Sequence, residues 1–143
     1  MFVFVAYTGA RRSEMMRATI DDFDLENGTV LIRERKRSRS RFTTYRRVEL
    51  PSRCITVMQE WFASHPGGQY AFCQNFDNTE TPPEKPLTAD QARIQFRKTL
   101  RNTKWSVIRG FHVFRHSYAS NLATKQVDQR IIDKHMGHQT EEM

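Results

Sequence analysis

The sequence contains little cysteine and no long apolar run. Its 143 residues include two cysteines, Cys54 and Cys73, too few for the disulfide framework of a small secreted domain. No stretch is long and apolar enough to span a membrane. The apolar start, residues 1–7, is short and lacks the basic leader of a signal peptide. We therefore expect a cytoplasmic protein in which residues 1–143 form one domain.

Acidic residues are outnumbered, and the imbalance lies in one segment. The net charge is +7. Residues 33–53 hold nine basic and two acidic side chains, which account for the whole excess. Such a concentration is typical of a surface that binds a polyanion, although a solvated, repulsive loop has the same composition. The candidate binding residues are Arg33, Arg35, Arg37, Arg39, Arg41, Arg46 and Arg47.

The patterning predicts an α+β fold that is predominantly helical, with one small antiparallel sheet. Asn27-Gly28 is a strong hairpin-turn dipeptide. Alternating residues predict strands over 29–35 and 42–50, with a short third strand at 70–73. Helical spacing and caps predict helices over 1–8, 12–18, 52–63, 88–102, 114–123 and 126–135. Gly9 and Gly137 are the expected helix stops, and Ser52 and Thr88 the expected caps.

Several residues suited to phosphate chemistry lie at turns or at helix ends. Arg11 follows the helix-ending Gly9, while His112 and Arg115 are three apart and share a helix face. Arginine holds two oxygens at once and keeps its proton, whereas lysine and histidine can release one. Lys36 is the only lysine before position 85, and His138 follows a helix-stopping glycine. Together these side chains predict a site that binds one phosphodiester and moves protons around it.

In order and content, these segments resemble those of the tyrosine recombinases, also called phage-type integrases. Residues 8–14 are similar to the family's first arginine box, with Arg11 in the catalytic place and Glu14 as its acidic follower. Residues 30–50 resemble its hairpin, whose lysine would be Lys36. Residues 111–119 resemble its histidine–arginine box, and residues 135–138 the segment with its last histidine. The resemblance covers nearly the whole chain and implies the DNA breaking-rejoining fold of the catalytic domain.

The resemblance also implies a mechanism. A tyrosine attacks DNA and forms a 3′-phosphotyrosyl link, without metal, ATP or another cofactor. Arg11, His112 and Arg115 would hold the phosphate, Lys36 would protonate the leaving oxygen, and His138 would support the transition state. Double-stranded DNA is the implied partner, and the arginines of residues 33–47 would face it. Further recombinase subunits are also implied, since the family's full-length form usually works as a tetramer on DNA.

The chain departs from the family pattern at the nucleophile. The attacking tyrosine is expected beyond Met143, and Tyr7, Tyr45, Tyr70 and Tyr118 do not have its place. The family's N-terminal DNA-clamping domain is not recognisable either. We therefore expect a catalytic-domain fragment that binds DNA weakly and does not cleave it in cis.

Other interpretations of the same residues stay open. The chain could be an inactive remnant that binds DNA or a recombinase. It could be a metal-dependent hydrolase whose zinc ligands are His112, His116, His135 and His138, although that leaves Arg115 without a purpose. Arg11 could simply pair with Glu14, with Arg12 as the functional arginine. His116 is expected in the core, Tyr118 is expected to serve in helix packing, and Trp61 and Trp105 are expected in the core or an interface.

Overall fold

The structure is a computed structural model that describes residues 1–34, 44–73 and 85–137. Within these ranges it contains six α-helices, a short 3-10 helix at Ile20–Asp22 and three strands. The helices are α1 Phe2–Thr8, α2 Arg12–Arg17, α3 Ser52–Ala63, α4 Ala89–Leu100, α5 His112–Thr124 and α6 Gln129–Met136. The strands are β1 Phe23–Asp24, β2 Thr29–Glu34 and β3 Thr44–Glu49. The predicted mixture, mainly helical with one small sheet, is confirmed.

The sheet is antiparallel, with strand order β1-β2-β3. Val30 pairs with Phe23 on one side and with Val48 on the other. Gly28 lies in the predicted turn with φ 64°, a conformation that costs glycine little. The prediction of a strand at residues 70–73 is wrong. Tyr70 forms only an isolated bridge to Thr19, and the third strand is instead β1, which precedes the turn.

The core lies between the inner face of the sheet and the helices. Val30, Ile32 and Val48 alternate with less buried neighbours along β2 and β3, as the period of two along a strand requires. They belong to one buried cluster with Phe4 of α1 and Met58 of α3. This cluster holds α1 and α3 against the sheet, and α2 packs on β2. The loop between α1 and α2 is therefore fixed at both ends.

An aromatic cluster joins α4 and α5 to α1. The ring of Phe2 lies 5.3 Å from that of Phe96 and 5.5 Å from that of Phe111, centroid to centroid. Phe96 and Phe111 are themselves 4.8 Å apart, within the range of favourable aromatic pairs. Since Phe111 directly precedes α5, the cluster fixes the start of that helix.

Glycine ends two helices where the sequence predicts it. Gly9 and Gly137 both have φ 62° and close α1 and α6. Thr88 caps α4 by accepting a hydrogen bond from the Gln91 amide. Ser52 is not the cap of α3, because Pro51 holds that position and Ser52 is the first helical residue. In the described ranges no helix has both the length and the apolar character needed to cross a membrane.

Candidate active site

Arg11 lies at the N-cap of α2, immediately beyond the turn that ends α1. Its amide donates to Glu14 Oε2 at 2.8 Å, and its Nη1 donates to Glu14 Oε1 at 2.8 Å. The side chain of Arg11 is 41% exposed, whereas that of Glu14 is 2% exposed. The contact with Glu14 therefore fixes the partly exposed guanidinium of Arg11 beside the turn between α1 and α2.

Arg115 lies one turn into α5 and is buried. Its Nη1 donates to the Gly9 carbonyl at 2.6 Å, and its Nη2 donates to the Met136 carbonyl. These bonds join the end of α1 to the end of α6. Burial, followed by the positive charge of Arg11, lowers the pKa of Arg115 to about 10. Arg115 therefore stays charged at neutral pH, and Arg11 lies near enough for the two charges to repel.

One cavity of about 370 Å³ brings three of the predicted residues together. It is lined by Arg11, His112 and Arg115, with Ala10, Arg12, Ser13, Met16, Gly110 and Phe111 completing its wall. His112 is exposed on the first turn of α5, one turn from Arg115 and on the same face, as its spacing predicts. Arg12, the alternative functional arginine, is also in the wall, so both arginines of the first box reach the cavity.

A buried ion-pair network contacts the cavity residue Arg11 through Glu14. Arg46 of β3 donates from Nη2 to Glu14 Oε2 at 2.8 Å, and its Nη1 pairs with Glu34 at the end of β2. Burial alone would raise the pKa of Glu14, but its hydrogen bonds and charge contacts with Arg46 and its bonds to Arg11 outweigh burial and lower it. Glu14 therefore remains ionised and joins the hairpin to the arginine of the cavity.

Arg46 corrects the sequence prediction that this arginine faces DNA. It is 7% exposed and points to the same side of β3 as the core residue Val48. Arg47, one residue later, points to the opposite face and is exposed, in contact with Thr29. Arg33 is 41% exposed and pairs with Asp22. Only Arg33 and Arg47 among the described members of the predicted set therefore present charge at the surface.

Several predicted residues lie outside the described residues. They include the candidate general acid, Lys36, and the candidate last histidine, His138. The others are four arginines of the basic segment: Arg35, Arg37, Arg39 and Arg41. Near these positions the described residues stop at Glu34, resume at Thr44 and end at Gly137. The tip of the hairpin and the final histidine thus remain predictions from the sequence.

The other histidines do not form a metal site in the part of the chain that the structure describes. No group of three potential ligands comes together there. His135 Nδ1 is 2.9 Å from the Tyr118 hydroxyl. The His112 and His116 rings are 4.3 Å apart. His116 is exposed, so its predicted core position is wrong, whereas Tyr118 is half-buried and its ring packs against Gly9.

A sequence profile of the phage integrase family matches residues 1–143. The chain belongs to the phage integrase family. It is 26% identical over 136 residues to the tyrosine recombinase XerC of Proteus mirabilis, covering 91% of this chain and 40% of that protein.

Solved recombinases share this fold. The XerA recombinase superposes with a TM-score of 0.79 at 20% identity, over 96% of this chain and 47% of that one. The Tn1549 transposon integrase, solved in complex with transposon right end DNA, gives 0.74 at 18% identity, over 97% and 50%. The XerH site-specific recombinase, bound to difH substrate, gives 0.69 at 24% identity, over 97% and 38%. The chain thus spans about half the length of these relatives or less.

The sequence of this phage integrase family member also holds a second basic segment, which the prediction from net charge missed. Residues 91–127 contain eight basic and no acidic residues, and all of the eight except Arg115 are exposed. The segment escaped notice because acidic residues elsewhere cancel it in the total charge. A count over a sliding window would have revealed it. The basic segment includes the connector before α5, residues 101–109. In this connector Lys104 Nζ lies 5.0 Å from the centroid of the exposed Trp105 ring. Trp105 is therefore not a core residue.

Proposed function

We propose that this domain binds a DNA phosphodiester in the cavity and stabilises its strand cleavage and rejoining in site-specific recombination. The observation that carries the proposal is the convergence of Arg11, His112 and Arg115 on one cavity. Family membership supports it. Preorganised donors aimed at developing charge are each worth about 3 kcal/mol in transition-state stabilisation.

The electrostatics of the site favour an anion. Arg11, Arg46 and Arg115 lie close to two carboxylates, those of Glu14 and Glu34, so the cluster retains one excess positive charge. An anion between Arg11 and Arg115 would relieve their repulsion and stabilise the charged form of Arg115. A phosphodiester oxygen is such an anion, and arginine forks match its geometry.

The proposed step is an in-line displacement at phosphorus. A tyrosine hydroxyl loses its proton to solvent, its oxygen forms a bond to phosphorus, and the bond from phosphorus to the 5′ oxygen breaks. Arg11, His112 and Arg115 hold the non-bridging oxygens as their charge grows. In this scheme Lys36 gives its proton to the departing 5′ oxygen, and His138 supports the same transition state. The reverse attack by a 5′ hydroxyl rejoins the strand.

We propose that the attacking tyrosine comes from outside the described residues. No tyrosine is among the described side chains that line the cavity. Tyr118 has its hydroxyl bound to His135, and Tyr45 lies exposed on β3. Assembly with other recombinase subunits on DNA is part of this proposal.

DNA affinity tests the phosphate site. We expect the chain to bind a duplex in fluorescence anisotropy with an affinity that falls steeply with added salt. Arg11→Ala should weaken binding about tenfold. Lys125→Ala is the matched control, since Lys125 follows the far end of α5, about 20 Å from His112 at 1.5 Å per residue. Equal losses in both variants would contradict a phosphate site at Arg11.

A chemical assay separates the enzyme from an inactive DNA-binding remnant. A pool of duplexes carries sulfur in place of one 5′-bridging oxygen, so that the leaving thiolate needs no general acid. Hydrogen peroxide replaces the tyrosine as nucleophile. We expect cleavage that requires Arg11 and His112. Salt-sensitive binding without any such cleavage would favour the binding function over the enzyme.

A further inference from the structure

Arg46 is the buried residue at which α2, the hairpin and the end of α6 meet. Its side chain is 6% exposed and pairs with Glu14 and with Glu34. A Cβ at Gly137 would overlap the Glu34 carboxylate and would lie 3.0 Å from Arg46 Nη1. Within the described ranges Arg46 Nε has no hydrogen-bond partner. Such burial of an incompletely bonded guanidinium is costly, which suggests a function beyond packing.

Each segment that meets at Arg46 also carries a residue of the proposed site. Arg11 precedes Glu14 by three residues and is bound to the same carboxylate. The other two site residues lie outside the described ranges, two residues after Glu34 and one residue after Gly137. Arg46 thus contacts the segments that carry the cavity, the proposed proton donor and the proposed last histidine, without lining the cavity itself.

We propose that Arg46 is a positioning residue that holds Arg11 in place through Glu14. The Glu14 carboxylate has Arg46 Nη2 at 2.8 Å and the Arg11 amide at 2.8 Å on Oε2, with Arg11 Nη1 at 2.8 Å on Oε1. The buried arginine fixes the carboxylate, and the carboxylate fixes the half-exposed arginine. The inference rests on the proposed function, because the benefit is an Arg11 ready to bind phosphate.

A double-mutant cycle on DNA affinity tests this chain of contacts. Arg46→Lys keeps the charge but loses the fork that spans two carboxylates. We expect it to weaken DNA binding about fivefold in the natural chain and less than twofold in the Arg11→Ala background. Arg47→Lys, on the exposed face of the same strand, is the control and should act equally in both backgrounds. An equal loss from Arg46→Lys in both backgrounds overturns the proposal, as does no loss in either.

A second readout does not depend on DNA. Rotation of the Arg11 guanidinium about Nε–Cζ, measured by arginine NMR, should be at least fivefold faster in Arg46→Lys. The exposed Arg12 should be unchanged. If Arg11→Ala binds DNA like the natural chain, the proposed function fails, and this rotation still decides the position of Arg11. Should Arg46→Lys not fold, Glu34→Gln loosens Arg46 more mildly and must show the same acceleration for the proposal to stand.

Discussion

Glu14 pairs with Arg11 one turn away, a contact that the sequence offers as an alternative to a catalytic function of Arg11. It also meets a buried arginine 32 residues further along the chain. Pairing with Glu14 therefore does not remove Arg11 from the site. The same carboxylate that neutralises Arg11 in part also holds it at the cavity.

Glu14→Gln tests the cost of this arrangement. The variant leaves Arg46 buried with one carboxylate fewer, and breaking a buried pair from one side typically costs about 3–5 kcal/mol. We expect the free energy of unfolding in urea to fall by about 3 kcal/mol at pH 7. Glu26→Gln, at an exposed position, is the control and should change stability by less than about 0.5 kcal/mol.

The pH dependence of the same variant has a definite sign. The pKa of Glu14 is lowered in the folded protein, so its stabilising contribution is complete above the ordinary carboxylate pKa. That contribution is lost as pH falls through the lower, folded value. The stability difference between Glu14→Gln and the natural chain should therefore shrink as the pH is lowered from 7 towards 3. A difference that stays constant over this range would contradict an ionised Glu14.

At the scale of elements, the hairpin shows that the charge of a strand predicts its surface only when the face to which each side chain points is considered as well. Both strands were predictable from alternation and from Asn27-Gly28. The same alternation places Arg46 beside Val48 on the inner face and Arg47 outside. Charge alone would place all the arginines of residues 33–47 on the DNA surface, Arg46 among them. The period of two carried the correct answer. The alternation does not predict that the carboxylates of Glu14 and Glu34 pair with Arg46, and these ion pairs make its burial possible.

Short elements were beyond what sequence patterns resolve. β1 has two residues, too few for any period to show, whereas the apolar run at 70–73 has a strand-like composition. The backbone amide of Ala71 does bond, but to the Ala18 carbonyl in a loop contact rather than within a ladder. Trp61 adds a hydrogen bond from its ring to the Ala71 carbonyl. Tertiary contacts of this kind satisfy the segment without making it a strand.

The connector at residues 101–109 gives the prediction at this scale. If it lies along the DNA backbone, a Lys104→Ala, Arg109→Ala double variant should reduce the steepness of the salt dependence. Each lost phosphate contact lowers the slope of log K against log salt by about 0.9, so up to about 1.8 is expected. Lys125→Ala with Arg130→Ala removes the same charge beyond the far end of α5. Equal changes of slope in the two double variants would rule out a specific DNA contact by the connector.

At the scale of the molecule, the fold brings together groups that are far apart in sequence. Arg115 donates to the Gly9 carbonyl across 106 residues. The order of the sequence motifs suggested that Arg11 and Arg115 meet. They are brought together by an aromatic cluster that packs α5 on α1, and by the bonds of Arg115 to the carbonyls of Gly9 and Met136. Both depend on side-chain packing in three dimensions. Sequence patterns do not report such packing.

Because of this long-range closure we expect the interior to open only when the whole domain unfolds, and the two cysteines can report on that opening. Cys54 has no exposed surface and belongs to the main core cluster. Burial raises its pKa to about 11, so in the folded state the reactive thiolate is about a thousandfold less abundant than the thiol at pH 8. Cys73 is half-buried, and burial also raises its pKa. Both thiols are less reactive than an unfolded cysteine, but only Cys54 is inaccessible.

We therefore expect iodoacetamide at pH 8 to modify Cys73 first and Cys54 only through global unfolding. Single-cysteine variants, Cys54→Ala and Cys73→Ala, separate the two rates by mass spectrometry. When Glu14→Gln is combined with Cys73→Ala, the labelling rate of Cys54 should rise in proportion to the increase in the unfolding constant, about 150-fold for 3 kcal/mol. The labelling rate of Cys73 should change less, because local opening already exposes it. If Cys54 reacts in the folded chain as fast as a cysteine in a short peptide, the core does not open as one unit with the site.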